Sequence, residues 1–282
     1  MREVDTELMK QVVLYLRKGT ARALSGRMLS GMEVPPDAAE GRHAPYWVHE
    51  ARVGGARPVL FEVHGGGFAL GDARKEDALR AWVRDSFDIH VVGVEYRLAP
   101  EHPYPAAVED AMRAWDYLMY QGYGAENVTV AGDSAGGNLA LVLCRRLKAA
   151  GRRMPRALLL MSPWTDMTMS GASYRERVES DPMLTPEYIE AVRRAYAGDR
   201  DLQDPDLSPL LGDLGSFPPT LIQVGDHEIL YSDSASLAAA LRAAHVPCRL
   251  EVSEGMWHVF QMFPIKKAAA AMESAARFLL EL

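Results

Sequence analysis

The chain has 282 residues, of which 48% are hydrophobic and 24% charged, and its formal net charge is −7 at pH 7. These values are ordinary for a globular protein, so we expect a sizeable buried core and no long disordered region. The acidic balance, with no block of basic residues, argues against a surface for nucleic acid or for anionic membranes.

Nothing near the start of the sequence resembles a secretion signal, because acidic residues come early and no apolar stretch follows them. No aliphatic run approaches the roughly 18 residues that a membrane span requires. Two cysteines a hundred residues apart, Cys144 and Cys248, favour free buried thiols in a reducing compartment. We therefore expect a cytoplasmic protein without a membrane span.

Strands and helices alternate along most of the chain. Leu8, Val12, Tyr15 and Leu16 share one face and predict an amphipathic helix near the N-terminus. Strands are predicted over 45–51, 58–67, 89–96, 127–133, 155–163, 219–225 and 247–253. Further helices are predicted over 105–122, 135–151, 232–245 and about 265–282. Nearly continuous apolar strands that alternate with helices predict an α/β fold, with a mostly parallel sheet covered by helices on both faces.

Residues 164–218 interrupt this alternation with a helical segment and a stretch rich in proline and aspartate. About fifty residues between two strands is far more than a crossover connection requires. We expect a single α/β domain over 1–282, with a helical cap formed by about residues 1–35 and this insertion.

A small-residue motif, Gly132-Asp133-Ser134-Ala135-Gly136, stands where a predicted strand turns directly into a predicted helix. In so tight a turn the serine backbone is strained, and residues two before and two after it must be small. The turn also holds the Ser134 hydroxyl at a helix N-terminus, where developing negative charge is stabilised. This context predicts that Ser134 is a nucleophile.

A second glycine-rich segment, "HGGGF" at 64–68, follows an apolar strand and can supply an oxyanion hole. Glycines allow backbone N–H groups to approach a substrate oxygen without a Cβ in the way. We expect the N–H groups of Gly66, Gly67 and Ala135 to form this hole. His64 is expected to hold the loop in place rather than to act as a base.

The catalytic base is predicted to be His258, in the loop between the last strand and the last helix. For a nucleophile in this kind of turn, the chain order is serine, acid, histidine. The other histidines lie in strands or turns, before Ser134, or too close to the candidate acids. Those candidate acids are Asp226 and Glu228, which both follow the strand 219–225, and spacing alone does not choose between them.

Taken together, these motifs resemble the hormone-sensitive lipase family of α/β-hydrolases, in its bacterial esterase branch. The resemblance covers nearly the whole chain from about residue 58 onward. It is carried by the motifs at 64–68, 96–110, 132–140, 162–166, 204–210 and 256–260. Many members of the family read D-P-L-x-D at the acid, and aligning that pattern with "E-I-L-Y-S" implies that Glu228 is the triad acid, with Asp226 as the alternative.

The resemblance implies a carboxylesterase that hydrolyses short- to medium-chain acyl esters through Ser134, Glu228 and His258, without a cofactor or metal. An amidase or a sugar-ester deacetylase would use the same residues. A non-catalytic ligand-binding module is a further alternative, since the plant gibberellin receptor resembles this family but lacks the catalytic histidine. Expected partners are a small ester substrate and, for a homodimer rather than a monomer, a second copy joined along the edge strand 247–253.

Six side chains are candidates for the lining of an acyl pocket or for ordinary packing. They are Met183, Tyr188, Tyr196, Met256, Trp257 and Phe260.

Overall fold

The computed structural model describes residues 47–49, 58–71 and 89–281, with the backbone alone for 47–49. The predicted N-terminal helix and the N-terminal part of the predicted cap lie outside the described residues.

The described residues form a seven-stranded sheet with the order β1-β3-β2-β4-β5-β6-β7. The strands are β1 (Trp47–His49), β2 (Val59–Val63), β3 (His90–Val94), β4 (Val128–Asp133), β5 (Ala157–Met161), β6 (Thr220–Gly225) and β7 (Cys248–Ser253). β1 pairs with β3 in the antiparallel sense, and the other six strands are parallel. The predicted parallel sheet is thus confirmed, with β7 as an edge strand.

Six α-helices accompany these strands in the described part of the chain. They are α1 (Ala106–Tyr120), α2 (Ala135–Ala149), α3 (Ser173–Glu176), α4 (Pro186–Ala197), α5 (Tyr231–Ala243) and α6 (Lys266–Glu281). None of the helices among the described residues is long and apolar enough to cross a membrane.

Both faces of the sheet are buried, as the continuous apolar strands predict. On β5, Leu158 and Leu160 belong to the large hydrophobic cluster on one face. The alternate residues Leu159 and Met161 pack on the opposite face, in the cluster that includes Met272 of α6. Because side chains alternate along a strand, one apolar run supplies the hydrophobic clusters on both faces of the sheet. The same alternation sets the direction in which side chains point at the carboxyl edge.

The segment between β5 and β6 carries α3, α4 and a short 3-10 turn. Thr185 is the N-cap of α4, and its hydroxyl accepts a hydrogen bond from the Tyr188 N–H at 3.1 Å. Pro186 lies in the first turn of the helix. Its apolar face, with Ile189 and Val192, is buried in the main cluster. This helix therefore packs on the sheet domain, next to the glycine-rich loop after β2.

Candidate active site

Ser134 lies in the turn that joins β4 directly to α2. Its backbone has φ 53° and ψ −119°, and its side chain makes no capping hydrogen bond to the helix. A Cβ on Gly132 would lie 2.4 Å from the Gly136 carbonyl oxygen, and one on Gly136 would lie 2.0 Å from the Val63 carbonyl oxygen. Such contacts are sterically impossible, so the turn requires glycine at both positions. The Ser134 hydroxyl is left available at the N-terminus of α2.

The turn is tied to the neighbouring strand through its backbone. The Ser134 N–H donates to the Met161 carbonyl oxygen at 2.9 Å, and the Trp164 N–H donates to the Ser134 carbonyl oxygen at 3.0 Å. The Asn138 side-chain amide donates to the Trp164 and Leu207 carbonyl oxygens at 2.9 and 2.8 Å. These bonds stabilise the strained backbone of the nucleophile turn from β5 and from the insertion.

The glycine-rich loop after β2 has backbone conformations that strongly favour glycine. Gly66 has φ +109°, and a Cβ there would lie 2.2 Å from the Leu70 carbonyl oxygen. Gly67 has φ +63°, and a Cβ there would lie 2.9 Å from Val192 Cγ1 of α4. The Gly65 N–H donates to Asp133 Oδ1 at 2.8 Å, which joins this loop to the residue before Ser134. The loop, the nucleophile turn and the insertion are therefore in direct contact.

His64 is part of the support of this loop. Its buried ring stacks on Tyr96 with a centroid distance of 4.2 Å, and the Tyr96 hydroxyl donates to the His64 carbonyl oxygen at 2.7 Å. The ring contacts Gly71 closely enough to exclude a Cβ there. These contacts agree with the structural role predicted for this histidine.

The predicted base and one of the two predicted acids form a buried pair. His258 Nδ1 lies 2.8 Å from Glu228 Oε2, and the two residues are 3% and 0% exposed. An ionised carboxylate can only accept, so Nδ1 carries the proton and donates it to Glu228. Nε2 is then unprotonated in the neutral ring, as a general base requires.

The other oxygen of Glu228 is held by two further donors. Glu228 Oε1 accepts from the Gly225 N–H at 2.7 Å and from the Ser162 hydroxyl at 2.8 Å. The Ser162 hydroxyl in turn accepts from the Val259 N–H at 3.1 Å, and Ser162 has φ +47°. Ser162 thus connects the acid to the histidine loop, a role that no sequence motif predicts.

The alternative acid, Asp226, lies elsewhere in the same turn. Its carboxylate accepts from the Gly255 N–H at 2.6 Å and is partly exposed to solvent. The structure therefore brings Glu228 to His258, whereas Asp226 is bonded to Gly255 in the loop that leads from β7 to the histidine.

Burial and charge act in opposite directions on His258. Burial of the ring lowers its pKa, whereas the hydrogen bond and the negative charge of Glu228 raise it, helped by the charges of Asp181 and Asp133. The net result is a pKa above the ordinary histidine value. The imidazolium that forms during general-base catalysis is therefore stabilised where it forms.

Comparison with known proteins agrees with this geometry. A family model described as the alpha/beta hydrolase fold matches residues 60–262. The chain is 39% identical to an esterase of Acinetobacter venetianus over 227 residues, which cover 79% of this chain and 75% of that protein. It is 36% identical to an acetyl-hydrolase of Streptomyces hygroscopicus over 250 residues, which cover 87% of this chain and 83% of that protein. The crystal structure of an esterase from the bacterial hormone-sensitive lipase family matches with a TM-score of 0.81 at 29% identity, over 98% of each chain.

The chain belongs to the α/β-hydrolase family, in its bacterial hormone-sensitive lipase branch. The resemblance inferred from the motifs is confirmed, and the protein is a hydrolase that acts on esters.

Only part of the predicted triad of this hydrolase is linked by hydrogen bonds. Among residues 89–281, Glu228 and His258 are bonded to each other, but no hydrogen bond joins Ser134 to His258. In free enzymes this contact is often long and shortens only when substrate is bound.

The six candidate pocket residues fall into two groups. Trp257 and Phe260 are fully buried in a cluster with Ile265, and Met256 is also buried there. Tyr196 is buried as well, and its ring stacks on Phe68. These side chains pack against the loop that carries His258 and the glycine-rich loop after β2.

Only Met183 and Tyr188 of these candidates are partly buried. They are the two that stay candidates for the wall of an acyl pocket.

In the described ranges, no three histidine, cysteine, aspartate or glutamate side chains are grouped closely enough to hold a metal ion. Both cysteines are free. Cys144 is buried, whereas Cys248, which we expect to be buried, is partly exposed because it opens the edge strand β7.

Proposed function

We propose that this hydrolase cleaves carboxylic esters with short or medium acyl chains through an acyl-enzyme formed on Ser134. The observation that carries the proposal is the buried Glu228–His258 pair, which orients an unprotonated ring nitrogen in a chain whose serine lies in a strained, glycine-flanked turn. A serine nucleophile needs such a base, an acid to orient it and an oxyanion hole.

Acylation begins when His258 Nε2 removes the proton of the Ser134 hydroxyl as the oxygen attacks the ester carbonyl carbon. Glu228 stabilises the imidazolium and keeps the Nδ1 proton directed away from the reaction. The carbonyl oxygen becomes an oxyanion and is held by the N–H groups of Gly66, Gly67 and Ala135.

Collapse of this tetrahedral intermediate breaks the ester C–O bond, and His258 gives its proton to the departing alcohol. A water molecule then attacks the acyl-enzyme, with His258 as base once more, and Ser134 is released with the carboxylic acid as product. Both half-reactions use the same proton acceptor and the same oxyanion hole, so no cofactor is required.

The names of two relatives support ester hydrolysis, and one of them supports short acyl chains. One of them is named an acetyl-hydrolase and another an esterase. Amide hydrolysis and sugar-ester deacetylation use the same residues, and an ester compared with its matched anilide separates the first of these from the proposal. Retention of both Ser134 and His258 argues against a module that only binds a ligand.

Two further expectations concern the setting of the enzyme. A cytoplasmic location stays a prediction from cysteine usage. A homodimer, if it forms, is expected to join along β7, whose backbone forms one edge of the sheet.

The test is hydrolysis of p-nitrophenyl esters with acyl chains of two to sixteen carbons by the wild type and by Ser134→Ala. We expect the rate to be highest for short or medium chains and to fall by about four or more orders of magnitude in the variant. Labelling with an organophosphonate provides a second readout, because the wild type should be modified at Ser134. Hydrolysis that survives the substitution would overturn the assignment of the nucleophile.

A further inference from the structure

A second buried carboxylate lies close to the Glu228–His258 pair. Asp181 belongs to the insertion, between α3 and α4, and is only 2% exposed. Buried aspartates are costly unless their oxygens are hydrogen bonded, so the contacts of this side chain show what holds it there.

Both oxygens of Asp181 accept hydrogen bonds from backbone N–H groups. Oδ1 accepts from Met183 at 2.8 Å and from Leu184 at 2.9 Å, within its own loop. Oδ2 accepts from the Ile229 N–H at 2.9 Å, across to the residue that directly follows Glu228. One carboxylate thus joins the insertion to the turn that carries the triad acid.

Other side chains of the insertion bind the same turn. The Ser173 hydroxyl donates a hydrogen bond to the Ile229 carbonyl oxygen and accepts one from the Ser232 N–H at 2.9 Å. Arg177 donates to the Asp226 carbonyl oxygen, and the Ser180 hydroxyl bonds to the His227 carbonyl oxygen at 3.3 Å.

Asp181 is the one among these side chains that is both charged and buried. Its hydrogen bonds are therefore charge-assisted and shielded from solvent, whereas the serines are neutral and Arg177 is partly exposed.

Asp181 also acts on the site through its charge. The charged groups that face it are His258 and Glu228, and its negative charge raises the pKa of His258. Burial raises the pKa of Asp181 itself, while the N–H groups of Leu184 and Ile229 and the His258 charge lower it. Its influence on His258 adds to that of Glu228 and Asp133.

We propose that Asp181 is a positioning residue of the hydrolase site: it anchors the acid turn at Ile229 and thereby holds Glu228 in place against His258. The insertion is then a part of the catalytic framework and not only a cover for the substrate. This inference rests on the proposed roles of Glu228 and His258.

Substitution of Asp181 by asparagine tests the proposal sharply because the amide has only one acceptor oxygen. Whichever way it is oriented, its NH₂ group faces either the Ile229 N–H or the N–H groups of Met183 and Leu184, and two donors then oppose each other. Keeping the amide oxygen on Met183 and Leu184 satisfies two donors, so we expect the NH₂ group to face the Ile229 N–H. The variant then loses the anchor and the negative charge, while the volume of the side chain is unchanged.

Asp166 offers a matched control. Its carboxylate is also buried in the insertion and accepts from Thr168 at 2.8 Å and Ser170 at 3.2 Å in its own loop. It is not among the groups that shift the pKa of His258. Asp166→Asn therefore reports what general loosening of the insertion does to the enzyme.

The experiment measures kcat and KM for p-nitrophenyl butyrate from pH 5 to 9 in a pH-stat, with urea unfolding of each variant alongside. In Asp181→Asn we expect kcat to fall by up to about 10²-fold with little change in KM, as for a displaced catalytic group. We also expect the rise of kcat/KM with pH to move to lower pH, because the charge that favours the imidazolium is gone. Asp166→Asn should leave the position of this rise unchanged.

A rise at the wild-type pH in Asp181→Asn, or an equal shift in Asp166→Asn, would overturn the proposal. If Asp181→Asn does not fold, Asp181→Ser retains one acceptor and is measured instead. Failure of both to fold would mean that the carboxylate supports the fold as a whole, which also contradicts the positioning role.

Failure of the proposed function is recognised separately, by hydrolysis that does not depend on Ser134. In that case the pKa of His258 is followed directly by NMR, with His258→Asn to assign the signal. Loss of the Asp181 charge should still lower the pKa of His258.

Discussion

The two halves of the proposed active site are built in different ways. The half with Ser134, Gly66 and Gly67 consists of backbone in strained or left-handed conformations. At the two glycines the surrounding atoms leave no room for a Cβ. The half with Glu228 and His258 consists of buried polar side chains, and both oxygens of Glu228 accept hydrogen bonds. The first half is specified by sterics and the second by electrostatics.

This difference determines how each half can be damaged. The glycine half fails when a single carbon atom is added at Gly66, Gly132 or Gly136, because backbone atoms only 2.0–2.4 Å away cannot move aside. The charged half tolerates small changes of volume but fails when one acceptor becomes a donor, because a buried group is then left unsatisfied. Substitutions of the two kinds should therefore have distinct signatures.

The largest effect is expected from Glu228→Gln. Ser162 and Gly225 both donate to one oxygen, so the glutamine carbonyl must take that position and its NH₂ group faces His258 Nδ1. The ring must then accept at Nδ1 and carry its proton on Nε2, where it cannot act as a base. We expect kcat to fall by about 10⁴-fold, the size of effect that the wrong tautomer has in serine hydrolases.

Asp226→Asn is the control for this change and tests the alternative acid at the same time. Its carboxylate accepts only from the Gly255 N–H among the bonds described above, and asparagine can accept there too. Both variants are assayed with the same ester at saturating concentration. A large loss in Asp226→Asn combined with an active Glu228→Gln would reverse the assignment of the acid.

A smaller effect is expected from adding a methyl group to the glycine-rich loop after β2, and the atoms that the methyl group strikes differ between neighbouring glycines. In Gly67→Ala the new Cβ meets the side chain of Val192, whereas in Gly66→Ala it meets the Leu70 backbone. Both should lose about 10²- to 10³-fold in kcat through displaced N–H donors.

The two glycine variants are distinguished by a second substitution. Val192→Ala removes Cγ1 and Cγ2, two of the three Val192 atoms that Gly67→Ala would strike, so the double variant should recover part of the lost kcat. The same change should not rescue Gly66→Ala. Equal rescue of both, or of neither, would contradict the steric account of this loop.

What could be predicted from the sequence follows the same division. Gly132, Gly136 and Ser134 are recognisable because a steric requirement in a tight turn is local and leaves a short motif. The order of strands and helices is predictable for a similar reason, since apolar periodicity is local as well. The steric half of the site was therefore accessible without the structure.

The electrostatic half was less accessible because its bonds join distant parts of the chain. Ser162 meets Glu228 across 66 residues, and Asp181 meets Ile229 across 48 residues. Spacing also left Asp226 and Glu228 equivalent, since only the conformation of the turn after β6 decides which carboxylate reaches His258. Trp257, next to the histidine, packs in a buried cluster, which aromatic character alone does not distinguish from a pocket wall.

A more moderate effect is expected from pH alone. Because the net pKa of His258 is raised, the base is protonated over a wider range at low pH, and kcat/KM should rise through a midpoint above the ordinary histidine value of about 6.5. The profile is measured from pH 5 to 9 in a pH-stat, with an ester for which chemistry limits the rate. A flat profile from pH 5 to 8, or a midpoint below 6.5, would count against His258 as the base.

The smallest effect on activity is expected at Asp233, where a change from acid to amide should improve stability instead of removing function. This buried carboxylate on α5 accepts the N–H groups of Thr165 and Asp166 on one oxygen, at 2.7 and 2.9 Å, and burial raises its pKa to about 7. The folded state thus binds a proton that the unfolded state releases near pH 4, so stability from this group falls as pH rises from about 4 to 7.

Asp233→Asn keeps a single oxygen for both donors, in contrast to Asp181→Asn, and has no charge to bury. Urea unfolding is measured at pH 5 and pH 8. Between these two pH values the unfolding free energy of the wild type should fall by on the order of a few kcal/mol more than that of the variant. An equal loss in both proteins would show that Asp233 is not the group that titrates.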